Sequence, residues 1–231
     1  MNYNEINNAG VMMKIELDNM IIEYNNCDLD YIEFLIDSLK ERSIEILNFF
    51  EFEKMKPKVR IRLWPDLEKF REFASNCFQK KVSDSTCGFA RKEDDILIVE
   101  VLSLQILRQL KYHEHQTIHD LVDLILHEFV HACHYKLSDE NSYAWLFEGL
   151  ATFLSHQYNN IEYNFTVSLE DIAFEHNIDY RIFYTMFSYV YQNYGKNYIF
   201  KLLNNFRLQE QDTPKLYEET KEFIEQIKNK R

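Results

Sequence analysis

Glycine and proline are scarce, four and three residues in a chain of 231. That scarcity excludes collagen-like repeats, flexible linkers and long structureless loops. Cysteine is sparse too. Cys27, Cys77, Cys87 and Cys133 form no Cys-x-x-Cys pair, which removes a thiol-rich metal module and a disulfide framework. The expectation is reduced thiols in a cytoplasmic protein, and nothing favours a Cys77–Cys87 bridge. No apolar run approaches the ~18 residues that a membrane span needs. The opening Met1-Asn-Tyr-Asn-Glu lacks the basic and apolar regions of a secretory leader, so no membrane partner is expected. Basic residues are outnumbered 26 to 38, for a net charge of −12. Such a surface repels a phosphate backbone on average, and nucleic acid is not an expected partner.

What is present is the composition of a globular protein, 46% hydrophobic and 28% charged, long enough to bury a core without covalent staples. The Asn-rich residues 1–12 are expected to fray, with Met12 and Met13 as alternative starts. Residues 14–24 alternate as one strand. Residues 30–50 carry Ile32, Leu35, Ile36, Leu39, Ile44 and Leu47 at helical spacing, with Asp28 or Asp30 as the cap. Val59-Arg-Ile-Arg-Leu-Trp64 has period two and predicts a strand; Pro65 then opens a helix reaching about Phe78. Residues 79–94 read as turns and residues 95–102 as a strong strand. From Thr117 the pattern is helical almost throughout, apart from a turn near 137–142, and ends in a charged amphipathic helix over 214–230 that packs as a lid or brace. The expected fold is α+β, with a mixed β-sheet and helices over residues 1–136, a helical part over 137–231, and the active-site helix between them.

The chemistry concentrates in Leu126-His-Glu-Phe-Val-His-Ala-Cys-His134. On a helix, His127 and His131 stand one turn apart on one face, and their imidazole nitrogens can meet one ion at about 2.0–2.1 Å. Glu128 lies about 100° around the axis, beside such an ion, where it can take a proton from an activated water. Two histidines and a glutamate on an ordinary half-buried helix face are the alternative. A second helical pattern, Tyr143-Ala-Trp-Leu-Phe-Glu-Gly-Leu-Ala-Thr-Phe-Leu154, has Glu148 as its one acid. A carboxylate among Trp145, Leu146, Phe147, Leu150 and Phe153 needs a cation to offset desolvation, unless it points outward.

His127-Glu-Phe-Val-His131 followed by Trp145-Leu-Phe-Glu148-Gly-Leu-Ala151 resembles the gluzincin branch of zinc peptidases, including the one-domain-aminopeptidase type. The resemblance implies a zincin-like fold, Zn2+ held by His127, His131 and Glu148, Glu128 as general base, and a peptide or protein substrate. The metzincin pattern does not fit, because His134 stands where that group has glycine. Cys87-Gly-Phe-Ala followed by residues 96–99 is similar to the edge strand along the cleft of these enzymes, which holds extended peptides by strand addition; a plain sheet edge is the alternative. Tyr180-Arg-Ile-Phe-Tyr184 through Gly195 resembles a helix that opens with a tyrosine in small gluzincin-like peptidases. It implies Tyr180, then Tyr184, as donor to the developing oxyanion, against ordinary packing roles among 15 tyrosines.

The remaining groups carry less. His115 and His119 share the i, i+4 spacing, but Gln116 supplies no base, and a solvated helix entrance explains them. Cys133 faces away from His131. Closing a four-ligand structural site with Cys133 or His134 would remove the open position that catalysis needs. Thr152 and His156 follow Glu148 at helical spacing as possible supports. The expectation is a zinc metallopeptidase. A zincin-fold zinc-binding regulator, or a highly selective protease with little general activity, is the alternative; endopeptidase and aminopeptidase action both stay open.

Overall fold

A computed structural model describes residues 12–111, 113–138, 142–158 and 179–229. The fraying expected over 1–12 and the turn expected near 137–142 fall partly or wholly outside the described residues. Within them the architecture is mixed α/β, with a five-stranded sheet and eight α-helices. The chain divides into two compact units, Met1–Ala132 and Cys133–Arg231.

In the first unit, β1 (Met13–Glu16) and β2 (Met20–Tyr24) form an antiparallel hairpin. The single strand expected over 14–24 is thus two. Leu17-Asp-Asn19 turns the chain, with Leu17 N donating to Met20 O at 2.8 Å, and Asp and Asn are residues that stabilise turns through their short polar side chains. β2 runs parallel to β3 (Val59–Trp64), and β3 parallel to β5 (Ile96–Leu102). β4 (Gly88–Glu93) closes the order β1-β2-β3-β5-β4 as an antiparallel edge. This strand lies within 79–94, where the local pattern suggests turns, although its Gly88-Phe-Ala start belongs to the segment that the resemblance likens to an edge strand. Its Arg91-Lys-Glu93 end has no apolar alternation, and pairing with β5 supplies what local pattern does not.

Helix α1 (Ile32–Phe50) joins β2 to β3. Its expected aspartate cap is absent. Tyr31 stands at the cap position, while Asp28 ends a 3-10 turn, accepting from Asn25 N at 2.8 Å and from the Tyr31 hydroxyl. α2 (Leu67–Phe78) is capped by Asp66, which accepts from Lys69 N at 3.0 Å, so Pro65 precedes the cap rather than filling the first turn. α3 (Leu104–Leu107) and α4 (Ile118–Leu137) follow β5.

The two sheet faces differ. Val59, Ile61, Leu63, Leu97, Val99 and Val101 share one face and are buried. The other face carries Arg62, Trp64, Phe89, Arg91 and the fully buried Glu100. Glu100 accepts from Trp64 Nε1 at 2.8 Å, Arg91 Nε at 3.1 Å and Arg62 Nη1 at 3.5 Å, so its desolvation is offset by two guanidinium groups. On this face α2 sets Phe70 and Phe73 against Trp64 and Phe89, with Phe78 also on Phe89. Gly88 points the other way, where the added methyl of an alanine would lie 3.4 Å from Glu128 Cγ; α4 therefore lies on the face opposite α2. The Arg42–Asp123 ion pair and the Phe34–His119 ring contact tie α1 to α4.

The second unit is helical: α5 (Ala144–Leu154), α6 (Tyr180–Tyr194), α7 (Lys196–Leu203) and α8 (Phe206–Asn229). α5 and α6 approach closely at Gly149, and Phe153 packs on Tyr184, Phe187 and Tyr191. Gly195, at φ +77°, separates α6 from α7 in a conformation that side chains disfavour. α8 begins well before the expected Pro214 and takes the proline inside. Asn205 Oδ1 caps it by accepting from Leu208 N at 3.0 Å. The ring deprives the Glu210 carbonyl of a helical donor, but Glu210 is exposed and water can replace it. No described helix is long and apolar enough to cross a membrane.

Candidate metal centre

α4 starts with a reciprocal cap. Thr117 N donates to Asp120 Oδ2 at 2.6 Å, and Asp120 N donates to Thr117 Oγ1 at 3.4 Å. Beyond that cap the helix is apolar around most of its circumference. Leu121, Val122, Ile125, Leu126, Phe129, Val130, Ala132 and Cys133 are all buried. His127, Glu128 and His131 are buried in the same stretch, at 6%, 7% and 5% exposure. Burying three ionisable groups in such surroundings is unfavourable unless they meet partners.

The histidines meet each other. Their Nε2 atoms are 3.0 Å apart, with ring planes at 83°. Two nitrogens of a tetrahedral zinc site, each about 2.05 Å from the ion, stand about 3.3 Å apart. The observed pair is near that spacing, with both nitrogens turned toward one place. Glu148, buried at 5% in α5, supplies the third group: one ligand atom from each of His127, His131 and Glu148 lies within 4.8 Å of the others. Two imidazoles and a carboxylate are a donor set suited to zinc and neighbouring divalent ions. Three protein ligands leave a fourth position for solvent or substrate.

The other residues marked in the sequence have surroundings of their own. Among the described residues, neither Cys133 nor His134 joins it. Cys133 is fully buried, and burial pushes its thiol far above the usual range. His134 turns its Nε2 to Ser142 Oγ at 3.2 Å and its ring to Phe147. His115 and His119 are exposed, and α4 begins only at Ile118, so their i, i+4 spacing does not set them on one helix face. Thr152 Oγ1 donates back to its own helix, to Glu148 O at 2.7 Å and Gly149 O at 3.1 Å; His156 is exposed just beyond α5. Tyr180 opens α6 at 39% exposure behind the Asp179 cap, and Tyr184 is half-buried with ring contacts to Phe153 and Tyr158.

Further residues lie near this group or brace its helices. Gly88 lies against the Glu128 side chain. Cys87 beside it is buried, with Sγ 3.5 Å from His113 Nε2; burial pushes the thiol up to about 11, against the opposing charge of Arg71 and with a smaller push from Glu128. Gln209 and Thr213 of α8 bond to the start of α5. All four cysteines are free thiols. No family model matches the chain, and no curated protein matches it.

Proposed function

We propose that this protein is a zinc-dependent metallopeptidase, with a gluzincin-like centre in a zincin-like α+β fold. The observation that carries the reading is the convergence of buried His127, His131 and Glu148 ligand atoms within 4.8 Å, on helices whose other buried residues are almost all apolar. His127, His131 and Glu148 would hold the ion, the histidines through the ring nitrogens that face each other and the glutamate through its carboxylate. Bound zinc supplies acidification of water and polarisation of a carbonyl oxygen.

Glu128 is outside the ligand group, about 100° around α4 from His127, and serves as the general base. It takes a proton from the attacking water and returns it to the departing amine. The edge strand β4 begins at Gly88, against Glu128, which supports binding of an extended peptide by strand addition beside the base. Tyr180, exposed at the start of α6, is the first choice for the group that donates to the developing oxyanion, and Tyr184 the second. Four free thiols favour a reducing compartment, and we place the enzyme in the cytoplasm.

The test pairs metal quantitation with digestion of a peptide mixture. Wild-type protein should carry close to one zinc per chain and cleave peptides in a chelator-sensitive way. Glu128→Gln should keep the zinc and lose turnover by about 10²-fold or more. A Glu128→Gln protein with full activity would refute the role of the base; zinc binding without any broad cleavage would point to a regulator or a highly selective protease.

A further inference from the structure

The helix carrying Glu148 lacks the usual means of fixing its own start. Tyr143, at the N-cap of α5, makes no side-chain cap, and the third helical residue, Leu146, is apolar and cannot accept from the cap backbone as a capping-box glutamate would. That acceptor comes from elsewhere. Gln209 of α8, fully buried, takes Tyr143 N on its Oε1 at 2.9 Å. Its Nε2 donates to Leu202 O at 2.8 Å and to Ser142 Oγ at 3.4 Å. One turn further along α8, buried Thr213 accepts from Trp145 Nε1 at 3.1 Å.

The same network reaches α4. Ser142 Oγ lies 3.2 Å from Nε2 of buried His134, which stands three residues beyond His131 on that helix. Two side chains one turn apart on α8 therefore grip the first turn of α5 at its backbone and at its indole, and through Ser142 connect to the helix that bears the histidines. Glu148 follows Trp145 by three residues, so on a rigid helix the clamp at the first turn sets where its carboxylate arrives. A glutamine is unfavourable to bury unless its amide is satisfied on both ends, and here both ends are used. An apolar side chain would fill the space but would leave Tyr143 N–H and Trp145 Nε1–H without acceptors.

We infer that Gln209 and Thr213 are positioning residues for the metal ligand Glu148, with α8 acting as the brace that presents α5 to the ion. This rests on the zinc reading above, and the experiment separates the two. Zinc affinity is measured by competition with a chromogenic chelator, cobalt-substituted protein is recorded by visible absorption, and stability of the metal-free protein is measured by urea unfolding. The variants are Gln209→Leu, Thr213→Val, the conservative Thr213→Ser, and Thr220→Val as a control. Thr220 is also buried on α8, but its hydroxyl bonds to Leu216 O of its own helix.

Gln209→Leu and Thr213→Val are expected to weaken zinc binding about tenfold or more, the usual effect of losing a group that orients a ligand, and to alter the cobalt spectrum. Thr213→Ser, which keeps the hydroxyl, should bind zinc as wild type does. Thr220→Val should lose stability while keeping the wild-type affinity and spectrum. Unchanged affinity in Gln209→Leu and Thr213→Val, or an equal loss in Thr220→Val, overturns the positioning role while leaving the zinc site standing. Wild-type protein that binds no zinc overturns both readings together, since there is then no ligand to position.

Discussion

Gly149→Ala sets two effects of opposite sign against each other. Alanine in a helix interior is worth about 1 kcal/mol over glycine, so propensity alone makes the substitution stabilising. Packing opposes it. The added Cβ would lie 2.6 Å from Phe183 O, 2.8 Å from Phe187 Cβ and 3.1 Å from Phe183 C. Carbon pairs rest at about 3.5–4.0 Å, so the Phe187 contact alone demands roughly 0.7 Å of separation between α5 and α6. Two of the three atoms are backbone and the third is bonded to it, so no rotamer change relieves the clash. Overpacking of this kind costs about 1–3 kcal/mol, and a rigid obstacle belongs at the upper end. Net destabilisation of about 1–2 kcal/mol remains after the propensity gain. Urea unfolding of the metal-free protein should show a lower midpoint at unchanged slope. Because Glu148 is the adjacent residue, zinc affinity should fall as well. A Gly149→Ala protein as stable as wild type would contradict the argument, since it would mean that α6 yields freely at this point.

Glu100→Gln removes the buried charge that Arg62 and Arg91 share, while each keeps a second carboxylate, Glu23 and Glu93, and should destabilise by about 1–3 kcal/mol in the same unfolding assay. Its zinc content should stay at the wild-type level, since Glu100 is no ligand; a loss under about 1 kcal/mol would show that the charge network is dispensable. Gly88→Val places a side chain where even a Cβ meets Val101 Cγ2 at 3.1 Å and Glu128 Cγ at 3.4 Å. It should retain zinc and lose turnover by about tenfold or more, as misplaced general bases do, and normal turnover would separate Gly88 from the base. The thiols should alkylate in order of exposure, with Cys77 first and buried Cys133 last, as followed by peptide mass mapping. With its thiol at about 11, Cys87 is only about 10⁻³ ionised at pH 8, and its labelling rate should rise about tenfold per pH unit from there. The fold favours the neutral thiol, so its contribution to stability is whole below the ordinary value of 9.0 and is lost as pH rises through about 11. Rapid labelling of Cys87 at pH 8 would contradict that burial.

Elements with strong internal periodicity are legible in the sequence. Val59–Trp64 alternates cleanly, and the apolar spacing of Leu121, Val122, Ile125 and Phe129 identifies α4. The spacing of His127 and His131, and Glu148 isolated in an apolar segment, mark three groups that the fold does bring together. Elements that depend on distant pairing are not legible in the local pattern. β4 has one apolar side of uneven quality and exists through its register with β5, from Gly88↔Val101 to Glu93↔Ile96. The start of α8 stays hidden for a different reason. Pro214 commonly marks a first turn, whereas this helix begins at Phe206 behind the Asn205 cap. Asn204 and Asn205 stand side by side in the chain, and only the fold distinguishes the one that accepts from Leu208 N.

Glycine's scarcity gives weight to the glycines that remain. Of the four in the chain, Gly88, Gly149 and Gly195 fall among the described residues. Gly195 answers a backbone need, its φ of +77° between two helices. The other two answer a spatial one, and both border an acid of the proposed centre. Gly88 leaves room for the side chain of Glu128, and Gly149, next to Glu148, lets α6 lie against α5. Neither position has a backbone conformation that requires glycine, and in a helix or a strand most larger residues would carry a better propensity. Glycine at these two places is explained by what surrounds the missing methyl. An added methyl at Gly88 would meet Val101, the Glu100 carbonyl and the Glu128 side chain, and at Gly149 the backbone and Cβ atoms of α6, so either substitution disturbs packing directly beside an acid of the proposed centre.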